Sequence, residues 1–541
     1  MDSTRLEDVL CRVEQSLDEK DAALVRAVFQ SYAYVSDLVE DKNTSIRRLR
    51  QLFFGVSTET TDAVVGQKTR TPEAALPREV GADPGSAAGE GNTDESDAAA
   101  ASKGHGRNGA EAYRGAARID VPHPSLTAGD ACPACTQGTV YDKDPGVLVR
   151  ITGQPPLAAT IYQLQKLRCH LCGQVFTAAA PEEAGDRKYD ATAGSMIGLL
   201  KYGSGLPFNR LDGLQGDLDV PLPASTQWDI VQAVAVTIKP AFDELIRQAA
   251  QGEVLHNDDT TVKILELMGE RGRQEILAGT AGDVDVAESR CGLYTSGVVA
   301  LRDGYRVALF FSGRRHAGEN LAQVLKHRAE LLPPPIQMCD ALSRNLPGEL
   351  QTILAHCLAH ARRRFVDVYD RFPEPCRHLL ESLAVVYRND AVARARQLSP
   401  EARLQFHQDA SGPTMQALHD WLTRQLVERL TEPNSALGGA ITYMLKHWNQ
   451  LTLFLRQAGA PLDNNVCERA LKKAILHRKN ALFYKTRNGA RVGDLFMSLI
   501  YTCQLNQANP FDYLTRLQRH ADALAASPQL WMPWNYCDAP A

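Results

Sequence analysis

The stretch "YTSGVVALRDGYRVALFFSG", residues 294–313, restricts the fold more than any other. Two runs rich in β-branched and aromatic residues flank Asp303-Gly304. Asp-Gly readily supplies the two positive φ angles of a tight two-residue turn, so the segment predicts a β-hairpin. Before it, "LHNDDTTVKIL" at 255–265 reads as a further strand, with Thr260, Thr261 and Val262 favouring extended chain. After it, the pattern predicts a helix over roughly 317–331. "PPPIQMCD" then reads as a short buried strand ending at Asp340. Residues 349–370 have helical periodicity, with Leu350, Leu354, Cys357, Ala361 and Phe365 along one face.

The order is therefore β-β-β-α-β-α, that of a ribonuclease-H-like mixed sheet with flanking helices. In such a sheet the first and fourth strands are neighbours, so Asp258 and Asp340 are expected to meet at their ends. A third carboxylate is expected from a later helix, and "LDNNVCERALKKAIL" supplies Glu468. Asp463 is the candidate N-cap there, with Asn464 and Asn465 in the first turn as site-facing candidates. Leu471, Ala474 and Ile475 would bury that helix. Three converging carboxylates repel one another unless a cation compensates them. Two Mg²⁺ (or Mn²⁺) ions, about 3.5–4 Å apart, would do so and would clamp the oxygens of a phosphoryl transfer. Hard cations take oxygen donors, which fits a set of Asp, Asp and Glu. Asp259 would point to the other face of the strand from Asp258, as a supporting or solvent-facing neighbour.

A basic run follows Glu468. Arg469, Lys472, Lys473, Arg478, Lys479, Lys485, Arg487 and Arg491 fall in an interval without an acid, with Phe483 and Tyr484 interleaved. That pattern suits phosphate contacts and base stacking. Arg362, Arg363 and Arg364 add positive charge on the earlier helix. Cys357 reads as core and His360 as a site-facing residue; His356 and His360 lack the intervening Glu of a zinc-hydrolase helix.

Around this core the chain divides further. Apolar residues from Leu6 to Phe53 recur at gaps of three and four, predicting an N-terminal coiled-coil helix over 1–55. Residues 56–118 form a disordered linker, because between Gly66 and Arg118 only Leu76, Val80 and Tyr113 are large and apolar. Residues 119–185 hold Cys132 and Cys135, then Cys169 and Cys172. Two C-x-x-C knuckles match a tetrahedral structural Zn²⁺ and predict a zinc-ribbon DNA-binding domain. Residues 186–251 are helical, with a helix-turn-helix candidate and Ser225 as its second N-cap. The core would run over 252–374 and 458–522, interrupted by an all-helical insertion at 375–457, and 523–541 would be a tail.

The chain has 541 residues and a formal net charge of −5. That charge excludes a uniformly basic DNA-coating protein. The charged N-terminus is unlike a secretory signal, and no apolar run reaches the ~18 residues of a membrane span. A cytoplasmic protein is expected, with cysteines as thiols or metal ligands.

With these residues in view, the chain resembles the insertion-sequence-66 transposases, a DDE-type family. "LRQLFFGVSTE", "GHGR", "CPAC…CHLC" and "YGSGLPFNRL…STQWDIV" resemble family segments. "LHNDDTTV", "CLAHARRRF" and "LDNNVCERALKKAILHRKNALF" resemble its three catalytic-region blocks. Asp259 and Thr261 stand where the family usually has Glu and Pro. The resemblance implies a multidomain α/β protein with a ribonuclease-H-like core, and Asp258, Asp340 and Glu468 as the Mg²⁺-binding triad. It implies DNA cleavage at element ends and strand transfer into target DNA, in a bacterial, nucleoid-associated setting. It also implies small accessory proteins from the same element, while the N-terminal helix is expected to make a homodimer or higher oligomer. The rival readings are a ribonuclease-H-like nuclease without strand transfer, and a domesticated zinc-ribbon DNA-binding regulator.

Overall fold

The computed structural model describes residues 61, 121–131, 133, 139–142, 154–168, 175–269 and 291–539. The expected coiled coil at 1–55, nearly all of the 56–118 linker, and Cys132, Cys135, Cys169 and Cys172 lie outside the described residues. The chain forms two compact units. The smaller one spans Thr69–Ala179 with Leu214–Pro221. Its described part includes an antiparallel pair, β1 (Lys166–Arg168) and β2 (Val175–Thr177), on either side of the second cysteine pair in sequence. A bridge between Ala131 and Thr139 flanks the first pair in the same way.

The larger unit contains Ala180–Gly213 and Leu222–Ala541. Helix α1 (Ala191–Gly198) starts at Asp190, whose carboxylate accepts the Ala193 N–H. Helix α2 (Phe208–Asp217) leads to the long α3 (Ala224–Ala250). Helix α3 begins one residue before Ser225, with Pro223 at the cap position, so Ser225 is not the N-cap. A five-stranded mixed sheet follows, made of β3 (Val254–Thr261), β4 (Tyr294–Arg302), β5 (Tyr305–Gly313), β6 (Ile336–Cys339) and β7 (Ile353–His356). Its order is β5-β4-β3-β6-β7. Strands β3, β4 and β5 are antiparallel neighbours, whereas β6 runs parallel to both β3 and β7. This arrangement is compatible with a ribonuclease-H-like core. The hairpin turn has Asp303 at φ 48° and Gly304 at φ 82°, the two positive angles that its sequence predicts.

Three local expectations change. The helix after the hairpin, α4 (Ala317–Leu325), stops short of Leu331, whose side chain is 98% exposed. Residues 353–356 are strand β7, not helix. Their spacing continues the helical pattern by coincidence, and a four-residue buried strand has no periodicity of its own. Helix α5 (Leu358–Val368) starts only after it.

The insertion is helical: α6 (Pro373–Ala395), α7 (Pro400–Ala410), α8 (Gly412–Val427), α9 (Ala436–Lys446) and α10 (Trp448–Leu451). Leu379, Leu383, Leu418, Ile441 and Met444 bury against Met338, Ala355 and Phe365, so insertion and sheet share one core. The chain then forms α11 (Asn465–Ala481), α12 (Arg487–Leu505), α13 (Pro510–Arg519) and α14 (Ala521–Ala526).

Helix α12 covers the edge strand β5 by an unusual route. Asp494, Ser498, Thr502 and Asn506 recur every four residues, which places them on one face. Their oxygens accept the N–H groups of Ser312, Phe310, Ala308 and Arg306 at 2.7, 2.9, 3.1 and 3.1 Å. A helix thus satisfies the outward-facing donors of an edge that would otherwise be open to another chain. Burial pushes the Asp494 carboxyl up to about 7, against the hydrogen bonds from Ser312.

Candidate functional site

Strand register brings the first two carboxylates together. Val254 pairs with Ile336 and His256 with Met338 in parallel, so Asp258 and Asp340 follow at the same level. Residues level in a parallel pair project to the same face. Asp340 immediately follows β6. Across the other edge of β3, Asp258 is paired with Gly297 of β4. A Cβ at position 297 would lie 3.1 Å from Leu471 and 3.4 Å from the Cys467 Sγ. Glycine there lets α11 settle onto the sheet, and Cys467 Sγ reaches the Gly297 carbonyl at 3.3 Å. Glu468 is the next residue, in the first turn of α11, where the helix dipole favours an anion.

His360 of α5 joins the set. Its Nδ1 lies 2.6 Å from Asp340 Oδ1, and its Nε2 lies 3.7 Å from Glu468 Oε1. Burial opposes protonation of His360, but Asp340 and Cys357 outweigh it and push its pKa up to about 10. The Asp258 carboxyl is pushed up to about 7, first by burial and then by the charge of Asp340. The Asp259 N–H, donated to Asp258 Oδ1 at 2.8 Å, pulls it back only in part. Burial and a neighbouring acid that together raise a carboxyl are the electrostatic mark of a site that a cation would relieve.

Asp259 is not solvent-facing. Its side chain is 1% exposed, with His316 Nδ1 at 2.8 Å and Arg344 at 3.3 Å. Asp463 is not the N-cap of α11 either, because that position belongs to Asn464. Asp463 stands one residue further out and accepts the Asn465 N–H at 3.1 Å and its side-chain amide at 2.8 Å. Asn465 is thereby tied to Asp463 and exposed.

Asn464 is fully buried and ties the elements together. Its side-chain amide donates to the Asn257 carbonyl at 3.1 Å, and its Oδ1 lies 3.1 Å from His256 Nδ1. Its backbone N–H donates to Cys357 Sγ at 3.2 Å. One residue so links the strand of Asp258, the start of the His360 helix and the start of the Glu468 helix. Burial depresses the His256 pKa to about 4, so that ring is neutral at physiological pH.

The basic residues divide in two. Arg363 and Arg364 line one open cleft with Asp340, His360 and Tyr443. The Arg364 guanidinium stacks 3.8 Å over the Tyr443 ring. Arg362 is half-buried beside them on α5. On α11 and beyond, Lys472, Lys479 and Lys485 are exposed. Lys473 lies 5.7 Å over the Tyr501 ring. Arg478 instead turns inward to the hydroxyls of Thr260 and Thr261, at 3.3 and 2.7 Å, so it holds strand β3. Arg487 is half-buried, with its backbone N–H on Glu266. Tyr484 is buried against His477, with ring centroids 4.8 Å apart, whereas Phe483 is exposed.

Sequence reasoning missed Gly297, His256 and Tyr443. His256 had a signal, since it lies two residues before Asp258 on the same strand face. Tyr443 had none, because it comes from the insertion and nothing local marks it.

Comparison with known proteins places these residues in a wider group. The family model described as "Transposase IS66 family" matches residues 189–492, a span that contains Asp258, Asp340, His360 and Glu468. The uncharacterized protein y4hP of Sinorhizobium fredii (strain NBRC 101917 / NGR234) is 27% identical over 394 residues, covering 69% of this chain and 67% of that protein. The uncharacterized protein y4jD of the same organism is 28% identical over 388 residues, covering 68% and 70%.

Proposed function

The chain belongs to the IS66 transposase family, and from that premise we propose that it is a DDE-type transposase using Asp258, Asp340 and Glu468 as its acidic triad. The observation that carries the reading is the parallel register of β3 and β6, which sets Asp258 and Asp340 level on one face. The donor set fits divalent Mg²⁺ or Mn²⁺, because carboxylate oxygens suit hard cations. The raised Asp258 carboxyl and the short approach of His360 to Asp340 mark charge that such ions would balance. When bound, two ions supply the charge that activates the nucleophile and steadies the leaving oxygen.

The residues of this chain would do the rest. Asp258, Asp340 and Glu468 hold the cations, and His360 orients the last two carboxylates. Arg363 and Arg364 face the DNA phosphates in the same cleft as Asp340. Lys472, Lys479, Lys485 and Phe483 extend that surface along α11. A water-derived hydroxyl breaks a phosphodiester bond at the element end and frees a 3′-hydroxyl. That hydroxyl then attacks a target phosphodiester, displacing the neighbouring 3′-oxygen, with no protein–DNA covalent bond. Cys132, Cys135, Cys169 and Cys172 would hold one structural Zn²⁺, and the N-terminal helix would pair protomers. DNA is the partner, with end recognition assigned to the ribbon and to helices α2 and α3. Small accessory proteins and a cytoplasmic, nucleoid-associated location complete the proposal. Among the described residues no helix is long and apolar enough to cross a membrane.

Purified full-length protein, labelled element-end duplex and Mg²⁺ test the reading. The expected result is 3′-end cleavage followed by joining to target DNA. Cleavage without joining would leave the nuclease reading. Binding with neither step would leave the regulator.

A further inference from the structure

We propose that Asp340, Cys357 and His360 form a binding site for a thiophilic divalent cation of the Zn²⁺ class, and that its occupancy blocks the Mg²⁺-dependent reaction. The blocking consequence rests on the catalytic reading above; the binding site does not. One ligand atom from each of the three residues lies within 4.8 Å of the other two. The backbone fixes this grouping. Cys357 N–H donates to the Cys339 carbonyl at 3.1 Å, which docks the start of α5 beside the residue preceding Asp340. His360 follows Cys357 by three residues, so both project from the first turn of α5.

Three features point to a cation rather than to a structural hydrogen-bond cluster. First, Asp340 Oδ1 and His360 Nδ1 are buried 2.6 Å from each other, and among the described residues neither has a further hydrogen-bond partner. Second, the other ring nitrogen of His360 faces Glu468 at 3.7 Å. A carboxylate behind a ligating imidazole is the usual way that metal-binding histidines are oriented. Third, Cys357 Sγ accepts the Asn464 N–H at 3.2 Å and sits at the N-cap of α5. Both features fix the sulfur beside Asp340 and His360.

The donor chemistry selects the ion. One sulfur, one imidazole nitrogen and one carboxylate oxygen suit Zn²⁺ with an open fourth position. Mg²⁺ does not accept a thiolate ligand. A Zn²⁺ held here would occupy Asp340 directly and engage Glu468 through His360. Two of the three triad carboxylates would then be withdrawn from Mg²⁺, so the two occupancies exclude each other.

Co²⁺ is the probe, added to full-length protein carrying one Zn²⁺ per chain, the occupancy proposed for the ribbon cysteines. The wild type is expected to bind one further Co²⁺ with a thiolate-to-cobalt charge-transfer band. Cys357→Ser should abolish that band, and His360→Ala should weaken binding by about tenfold or more. Asp258→Asn should keep the band, because Asp258 is not among the ligands. Added Zn²⁺ should inhibit cleavage by the wild type, and excess Mg²⁺ should reverse it. A band unchanged in Cys357→Ser, or none in the wild type, overturns the site. Unchanged affinity in His360→Ala, or loss of the band in Asp258→Asn, overturns the ligand set. Should Cys357→Ser melt early, Cys357→Ala provides the same comparison. Full cleavage by Asp258→Asn would refute the triad while leaving the cobalt result standing.

Discussion

Asp258→Asn is expected to lose Mg²⁺-dependent cleavage by about a thousandfold or more, while the metal-free protein becomes more stable. The loss follows from the several kcal/mol that metal charge supplies to a phosphoryl-transfer transition state. The gain in stability has a separate cause. Asp258 is half-buried beside Asp340, and its carboxyl is pushed up to about 7, so ionising it at neutral pH is costly. Asparagine removes that charge and keeps a side-chain oxygen to accept the Asp259 N–H. Asp340→Asn should lose activity as fully but destabilise the metal-free protein, because Asp340 partners His360 at 2.6 Å. Cleavage assays and melting curves in chelator check both. Equal stability changes in the two variants would contradict the electrostatic account.

The second large effect is on pH. In metal-free protein, Asp258 titrates near 7 instead of 3.8, and His360 near 10 instead of 6.5. Between 3.8 and 7 the folded chain holds a proton on Asp258 that the unfolded chain has lost, so this contribution to stability falls as pH rises through that window. The His360 contribution is fully present below 6.5 and is lost as pH rises through about 10. Both therefore decline with rising pH. Mg²⁺ must displace the Asp258 proton, so below about pH 7 its affinity should fall about tenfold per pH unit. Cleavage should rise with pH and level off above that point. Calorimetry of Mg²⁺ binding in two buffers of different ionisation enthalpy measures the released protons. More should be released near pH 6 than near pH 8. An affinity independent of pH over that interval would contradict the proposal.

The parts of this site legible in the sequence are those set by local pattern. The Asp-Gly hairpin and the two buried runs around it dictate the order of strands. That order in turn sets Asp258 beside Asp340, and the apolar spacing after Glu468 seats its helix. What stayed hidden depends on partners far along the chain. From sequence Asp259 could support the site or face solvent; His316 and Arg344 close on it and bury its side chain. Arg478 looks like a DNA contact until β3 presents Thr260 and Thr261 to it. Tyr484 belongs to a basic run but forms a parallel bridge with Ile264, which buries it. Asp494, Ser498, Thr502 and Asn506 form a polar face that sequence alone would turn to solvent. In the fold, that face satisfies the edge strand. Strand β7 was lost because four apolar-leaning residues fit a helix as well as a strand.

One cation site is proposed to be shared by β3, the end of β6 and the start of α11. Fe²⁺ substituted for Mg²⁺, with ascorbate and peroxide, cuts the backbone beside the bound ion. The expected fragments end near Asp258, Asp340 and Glu468, all suppressed together by excess Mg²⁺. Cutting confined to other positions, or to one of the three segments without the others, would contradict it.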